Sequence, residues 1–232
     1  MTKKVVAITQ SNYIPWKGYF QMMRKADVFV LYDTAQYTRR DWRNRNQIKT
    51  MNGRAWLTIP VKVKGNYYQP IAETRVSDPR WAEKHWKTLK QTYGKAPYFS
   101  ESEAFFEELY LGCESEYLSE INYRFLSGIC DLLEIETEFR WSRDFDLSGD
   151  KNERLINICR DLNATDYITG PAARAYMDES LFEEVQINVD WMDYSRYPEY
   201  SQINGPFVHA VSILDLIFNT GPKALEYMLA KV

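Results

Sequence analysis

Histidine and cysteine are scarce in this chain of 232 residues, with two and three copies respectively. His85 and His209 stand apart and lack the spaced His, Cys or carboxylate companions that a zinc site requires, so no metal is expected. Cys113, Cys130 and Cys159 leave one thiol over in any disulfide scheme and fall in segments that read as helical and apolar, which fits a reducing compartment. None has an adjacent histidine or a helix N-terminus, so a thiolate nucleophile would have to draw on distant partners. Long apolar runs are absent as well: no stretch approaches the roughly 20 residues needed to cross a bilayer. The short apolar run that ends at Gln10 is too brief for a signal peptide. The chain therefore reads as cytoplasmic, without membrane insertion. With no repeat, low-complexity tract or linker, residues 1–232 form one expected unit, with a helical subdomain at about 79–133.

What is present suits a large core, since 45% of the residues are hydrophobic and 15% aromatic. The net charge of -3 gives no general attraction to nucleic acid or anionic membrane, so any anion site has to be built locally. Val5 to Ile8 reads as a buried strand, residues 19–26 as a helix and Val28 to Tyr32 as a second buried strand ending at Asp33. A right-handed crossover sets the two strands parallel and brings Gln10 and Asp33 to one edge of the sheet. Asn52-Gly53 between residues 47–51 and 55–63 is a hairpin signal. Residues 71–76 read as a further strand, and helices are expected from Trp81 to Leu89, over 101–111 and over 116–133. The pattern continues with a strand at 137–141, a helix at 151–162 capped by Asp150, a strand at 187–192 and an apolar helix from Val208 to Phe218. These elements predict an α/β fold: a three-layer, mainly parallel sheet with an inserted β-hairpin and helical segments.

Two loops carry most of the chemistry. From Gln10 to Phe20, the side chains of Gln10, Asn12, Tyr13, Trp16 and Lys17 occupy a strand-to-helix turn, where a helix N-terminus stabilises an anion. Tyr13 and Trp16 read equally as packed anchors. From Asp33 to Asn46, four arginines mix with Gln36, Tyr37, Trp42, Asn44 and Asn46, and Lys49 follows. Arginine forks suit phosphate or carboxylate, so Arg40 and Arg45 mark a cradle for an anionic substrate; a solvated charge run is the plain alternative. The other basic residues are scattered and offer no track for a nucleic-acid backbone. Gly170-Pro171 is a small-residue turn open to close approach of a ligand or of packing backbone. Three residues are candidates for acid–base work. His85 reads either as a packed surface histidine or as a base, and Asp33 ends a strand at the ligand edge. Asp215 lies within an apolar helix, where it needs a partner, such as an arginine of the second loop, or takes a raised pKa.

The run Gln10 through Trp16-Lys17-Gly18-Tyr19-Phe20, then Asp33, Gln36-Tyr37, Arg40, Trp42, Asn44-Arg45-Asn46 and Ile48, resembles the N-terminal signature of WbqC-like proteins. The likeness continues through Trp56-Leu57-Thr58-Ile59-Pro60, Gly170-Pro171 with Tyr176, and Ser212-Ile213-Leu214-Asp215. Where the family has Gln-Pro, this chain has Gln10-Ser11. The resemblance implies a place in O-antigen and lipopolysaccharide biosynthesis. It points to a transferase that moves an acyl or aminoacyl group to the amine of a nucleotide-linked amino sugar. The donor it implies is an acyl or peptidyl carrier protein bearing phosphopantetheine, with no tightly bound cofactor. Gln10, Asn12, Asp33, Arg40, Asn44 and Arg45 are expected to line one pocket. Two other readings stand. The opening looks a little like nucleotidyltransferases with a His-x-x-Gly-His turn, with Tyr19 in place of the second histidine. The third is a non-catalytic module that binds a sugar nucleotide or a carrier protein.

Overall fold

The computed structural model describes residues 2–229. Five strands form one parallel sheet: β1 (Val5–Thr9), β2 (Val28–Leu31), β5 (Glu138–Trp141), β6 (Asp166–Thr169) and β7 (Asn188–Trp191). Their order is β5-β2-β1-β6-β7. The chain builds outward from β1 on one side and then restarts on the other, so the order reverses between β1 and β6. Their carboxyl ends there are Thr9 and Thr169. A separate antiparallel hairpin, β3 (Arg45–Thr50) and β4 (Gly53–Thr58), follows β2, with Gly53 at φ 97° as the Asn-Gly turn requires.

Alternation along the strands divides the core. Ala7, Phe29 and Leu31 face α1 (Lys17–Lys25), the hairpin, α2 (Trp81–Tyr93), α3 (Phe99–Leu111), α4 (Leu118–Leu132) and α7 (Ile213–Thr220) in one buried cluster. Val6, Ile8, Val28 and Val30 face α5 (Lys151–Asp161) and α6 (Glu179–Glu184) in another. Helices thus cover both faces of the sheet, the three-layer arrangement that a run of fully buried strands demands. Asp150 caps α5 by accepting from the backbone of Asn152 and Glu153, while Glu153 reaches back to complete a capping box.

Two elements differ from expectation. Residues 71–76 form no strand: a 3-10 turn at Ile71–Glu73 leads into isolated bridges, Val61 to Val76 and Arg75 to Tyr117. Their buried side chains, Ile71, Thr74 and Val76, do not keep the two-residue period of a strand. The last apolar helix begins at Ile213 rather than Val208 because Ser212 caps it, accepting from Leu214 N–H. Residues 208–212 stay outside the helix, with bends at 209–211, Val208 N–H bound to Gln202 Oε1 and Val211 N–H to His209 O.

The first cluster centres on aromatic rings. Phe218 is fully buried, with its ring centroid 5.2 Å from Tyr93, 4.9 Å from Phe99 and 5.1 Å from Phe106. Phe218→Ala should lower the unfolding free energy by about 3–5 kcal/mol, the range for emptying a large buried ring site, as read from urea denaturation.

Candidate functional site

The candidate crevice lies beyond the carboxyl ends of β1 and β2, where polar contacts join the two loops to the hairpin and to the start of α7. Tyr13 N–H donates to Trp42 O at 3.1 Å, and Asn46 Nδ2 donates to Tyr13 O at 3.1 Å. Ser212 Oγ donates to Ile14 O, and Ile213 N–H to Pro15 O, both at 2.8 Å. These bonds hold Ile14 at φ 37°, an outlying conformation for a β-branched residue and a doubly unfavourable one before proline. Strain of this kind costs on the order of 1–3 kcal/mol and gathers at functional sites.

Asp33 lies beneath this loop and is 1% exposed. Its Oδ1 accepts Ser11 N–H at 2.8 Å and its Oδ2 accepts the Ser119 hydroxyl. Asn122 Nδ2 donates to Ser11 Oγ and to Arg43 O, both at 2.9 Å, which ties α4 to both loops. Burial pushes the Asp33 carboxyl above its ordinary range, and Ser119, Ser11 and the charge of Arg43 pull it back. Of the seven buried side-chain polar atoms without a partner among the described residues, three belong here, on Asn12, Arg43 and Asn122, and two more lie at the root of the hairpin, on Asn44 and Arg45. Buried polar atoms are normally paired, so these orphans single the region out as a candidate binding place.

The expected site residues fall into three groups. Gln10, Asn12 and Asp33 meet at the ends of β1 and β2, and Trp16 and Gly170 form another wall. There the Trp16 ring lies 5.0 Å from Tyr194, whose hydroxyl a Cβ on Gly170 would approach to 3.4 Å. A second group is built inward. Tyr13 is fully buried, Asn44 donates to Ile59 O at 2.8 Å, and Asn46 anchors the hairpin. His85 has both nitrogens engaged: Nε2 lies 3.1 Å from Thr58 O and so carries the proton, leaving Nδ1 to accept from Tyr13 O–H at 2.9 Å. Tyr110 O–H in turn donates to Tyr13 Oη at 2.8 Å. Asp215, fully buried, accepts from Tyr200 O–H at 2.8 Å, Gln202 Nε2 at 2.7 Å and Tyr93 O–H at 2.9 Å. No arginine of the second loop reaches it. The nearby cation is Lys49, which binds Gln202 Oε1 at 2.9 Å. Burial raises the Asp215 carboxyl, and the three donors and Lys49 oppose the rise.

The third group lies toward the surface, except for Tyr37, which is buried in the field of Arg39 and Arg45. Gln36 donates to Tyr67 O at 3.0 Å, and Trp42 packs on Trp56. Arg45 donates to the carbonyl of Arg40, which sits at φ 60°. The arginine whose charge reaches Asp33 is Arg43, not Arg40 or Arg45.

The sequence reading passed over Ser11, Arg43, Ser119 and Asn122. Ser119 and Asn122 sit three residues apart on the buried face of α4 beside Leu118, Ile121 and Phe125. Two polar residues at helical spacing on an apolar face were the available signal. Lys17 was noted without a role. It begins α1, is 3% exposed and donates to Pro198 O at 3.0 Å, with the Tyr197 and Tyr200 rings 4.9 and 5.3 Å away. Burial pushes its ammonium down to about 8, against the pull of Glu199.

Two cavities lie elsewhere. One of 480 Å³ sits between the start of α3 and the ends of α4 and α7, and one of 320 Å³ lies against α5 and α6; neither is lined by a candidate residue. Among the described residues no group of three or more His, Cys, Asp or Glu could hold a metal ion, and no helix is long and apolar enough to cross a membrane.

A family model described as the WbqC-like protein family matches residues 10–227, nearly the whole chain and every element of the site. The chain belongs to the WbqC-like family. It is also 48% identical over 225 residues to a protein of Mycobacterium tuberculosis (strain ATCC 25618 / H37Rv) described as "Uncharacterized protein Rv1507c", covering 97% of both chains. No solved structure matches it.

Burial pushes His85 down to about 4, against a smaller opposing effect of the bond to Thr58. The unfolded imidazole protonates near 6.5, so stability from neutral His85 is complete above that pH. It is lost as pH falls through about 4, up to about 3 kcal/mol. Thermal unfolding at pH 7 and pH 4.5 should therefore drop further for the wild type than for His85→Gln; equal drops would assign the acid sensitivity to other groups. Asp33→Ala strands Ser11 N–H and should cost about 1–3 kcal/mol in urea denaturation. Asp33→Asn can accept from Ser11 and donate to Ser119, and should cost much less; an equal loss would show that the charge itself holds the site.

Proposed function

We propose that this protein acts in surface-polysaccharide assembly, of the O-antigen type, as a transferase. It binds a nucleotide-linked amino sugar beyond the carboxyl ends of β1 and β2 and moves an acyl or aminoacyl group to the sugar amine from a carrier protein. The observation that carries this reading is the gathering of unpartnered atoms on Asn12, Arg43 and Asn122 in the loops after β1 and β2 and on α4, beside strained Ile14. Open α/β sheets take ligands outside the carboxyl ends of their strands. Arg43 and the arginines of the adjoining loop supply the positive charge that a diphosphate needs. Asn12 and Asn122 offer acceptor oxygens of the kind that orient sugar hydroxyl and amino groups. In the transfer, the sugar nitrogen bonds to the acyl carbon, the bond to the carrier sulfur breaks, and the proton that the nitrogen loses passes to the leaving thiolate.

A second reading, a binding module without catalysis, is favoured by how fully the candidate acid–base groups are engaged. His85 has no free nitrogen, the carboxylates of Asp33 and Asp215 are ringed by donors, and burial pushes the Cys130 and Cys159 thiols up to about 12. Nucleotidyl transfer has less support, because the Tyr19 hydroxyl is 2.9 Å from Gln10 O and donates to it.

Incubating the full chain with an acylated carrier protein and an amino-sugar nucleotide should give an amide product by mass spectrometry. Saturable sugar-nucleotide binding without product would select the binding module, and pyrophosphate release from a nucleoside triphosphate and a sugar phosphate would select nucleotidyl transfer. Arg43→Ala should weaken sugar-nucleotide binding about tenfold, the scale of one charge-assisted bond. Unaltered affinity would remove the crevice from the reading.

A further inference from the structure

The outer face of the β3–β4 hairpin bears aromatic and cationic groups that packing does not require. The pairing register sets Gln47 opposite Trp56 and Arg45 opposite Thr58, while Asn46, Ile48 and Leu57, turned the other way, are buried. Trp42 and Trp56 are each 42% exposed, with ring centroids 5.3 Å apart and planes tilted by 41°. The Arg45 guanidinium lies 4.0 Å from the Trp56 ring centroid, and its Nε is buried without a partner. The stretch from residue 36 to residue 64 holds eight basic residues and one acidic, an excess of seven positive charges, so the remainder of the chain carries a net -10. A positive face of this kind in an acidic protein concentrates anions at one place.

We propose that this face seats the nucleoside diphosphate of the ligand, with the nucleobase stacked on Trp42 and Trp56 and the phosphates drawn to Arg39, Arg40 and Arg54. This rests on the nucleotide-linked reading above and says which part of that ligand goes where. A flat π system matches the indole faces, and a diphosphate matches the arginine forks. A neutral sugar would leave the arginines idle, and an acidic peptide would leave the indoles idle. The face is continuous with the crevice through the backbone. Trp42 turns outward while the next residue, Arg43, turns inward with its side chain only 12% exposed. A nucleoside on the hairpin then projects its sugar-bearing end toward the sheet edge, where the side-chain oxygens of Asn12 and Asn122 lack partners.

The test is calorimetric titration of the full chain with ADP, GDP, CDP and UDP, and with inorganic pyrophosphate, for wild type, Trp56→Leu and Trp56→Phe. At least one nucleoside diphosphate should bind the wild type about tenfold more tightly than pyrophosphate does, the scale of a base stacked on an aromatic ring. Trp56→Leu should abolish that advantage and leave pyrophosphate affinity unchanged, and Trp56→Phe should restore most of it. An advantage that survives in Trp56→Leu overturns the stacking face alone, because the crevice reading is judged separately by Arg43→Ala. Weakened pyrophosphate binding in Trp56→Leu assigns Trp56 a packing role and also overturns it. Failure of every nucleotide to bind the wild type overturns both. A ribonucleotide oligomer bound more tightly than any mononucleotide would put nucleic acid in the ligand's place and overturn the inference too.

Discussion

A carboxylate sealed at the ends of two neighbouring strands organises this molecule. Asp33 draws Ser11 from the loop after β1 and Ser119 from α4, and Asn122 then brings the backbone of Arg43 into the same lattice. Each donor offsets part of the cost of keeping the carboxyl out of water, and none is a full counter-ion in contact. The lattice therefore works as a fixed frame. It positions two loops from opposite sides without consuming the side-chain oxygens of Asn12 or Asn122.

A comparable lattice holds the C-terminal part. Asp215 gathers Tyr93 from α2 with Tyr200 and Gln202 from the irregular segment before α7, and Lys49 links the hairpin to the same amide. Lys17 fastens that segment again at Pro198, among aromatic rings. Residues distant in sequence are joined by a few buried polar bonds rather than by strand pairing. The crevice wall at Trp16 and Tyr194 depends on those bonds for its shape.

Much of the scaffold was legible from local patterns. Val5 to Ile8 and Val28 to Tyr32 are β-branched runs without polar interruption, which only a doubly covered parallel sheet accommodates, and parallel neighbours necessarily bring Gln10 and Asp33 together. Asn52-Gly53 announced its turn chemically, and Asp150 its cap. Residues 71–76 misled because a β-rich composition was read without its period, and Val208 to Val211 because hydrophobicity was read without noticing the cap at Ser212. At the site, loop identity was readable but side-chain direction was not. Nothing local says that Arg43 turns in while Arg40 and Arg45 turn out, since that choice follows from Trp42 O pairing with Tyr13 N–H and Arg43 O with Asn122. His85 looked available because its tautomer is fixed by Thr58 and Tyr13, each far from it in sequence.

Among the described residues the hairpin shares no backbone ladder with the main sheet; Asn46 on Tyr13, Gln47 O on Ser212, Lys49 N–H on Tyr93 and Thr58 O on His85 attach it. Side chains alternate along a strand, so one extra residue between Trp42 and Asn46 would swing Asn46 to the solvent side and remove the anchor at the root. At the far end nothing lies within 4 Å of where a Cβ on Gly53 would stand, and the tip is free to lengthen. Variation in length along this unit is therefore polarised, forbidden at its root and open at its tip.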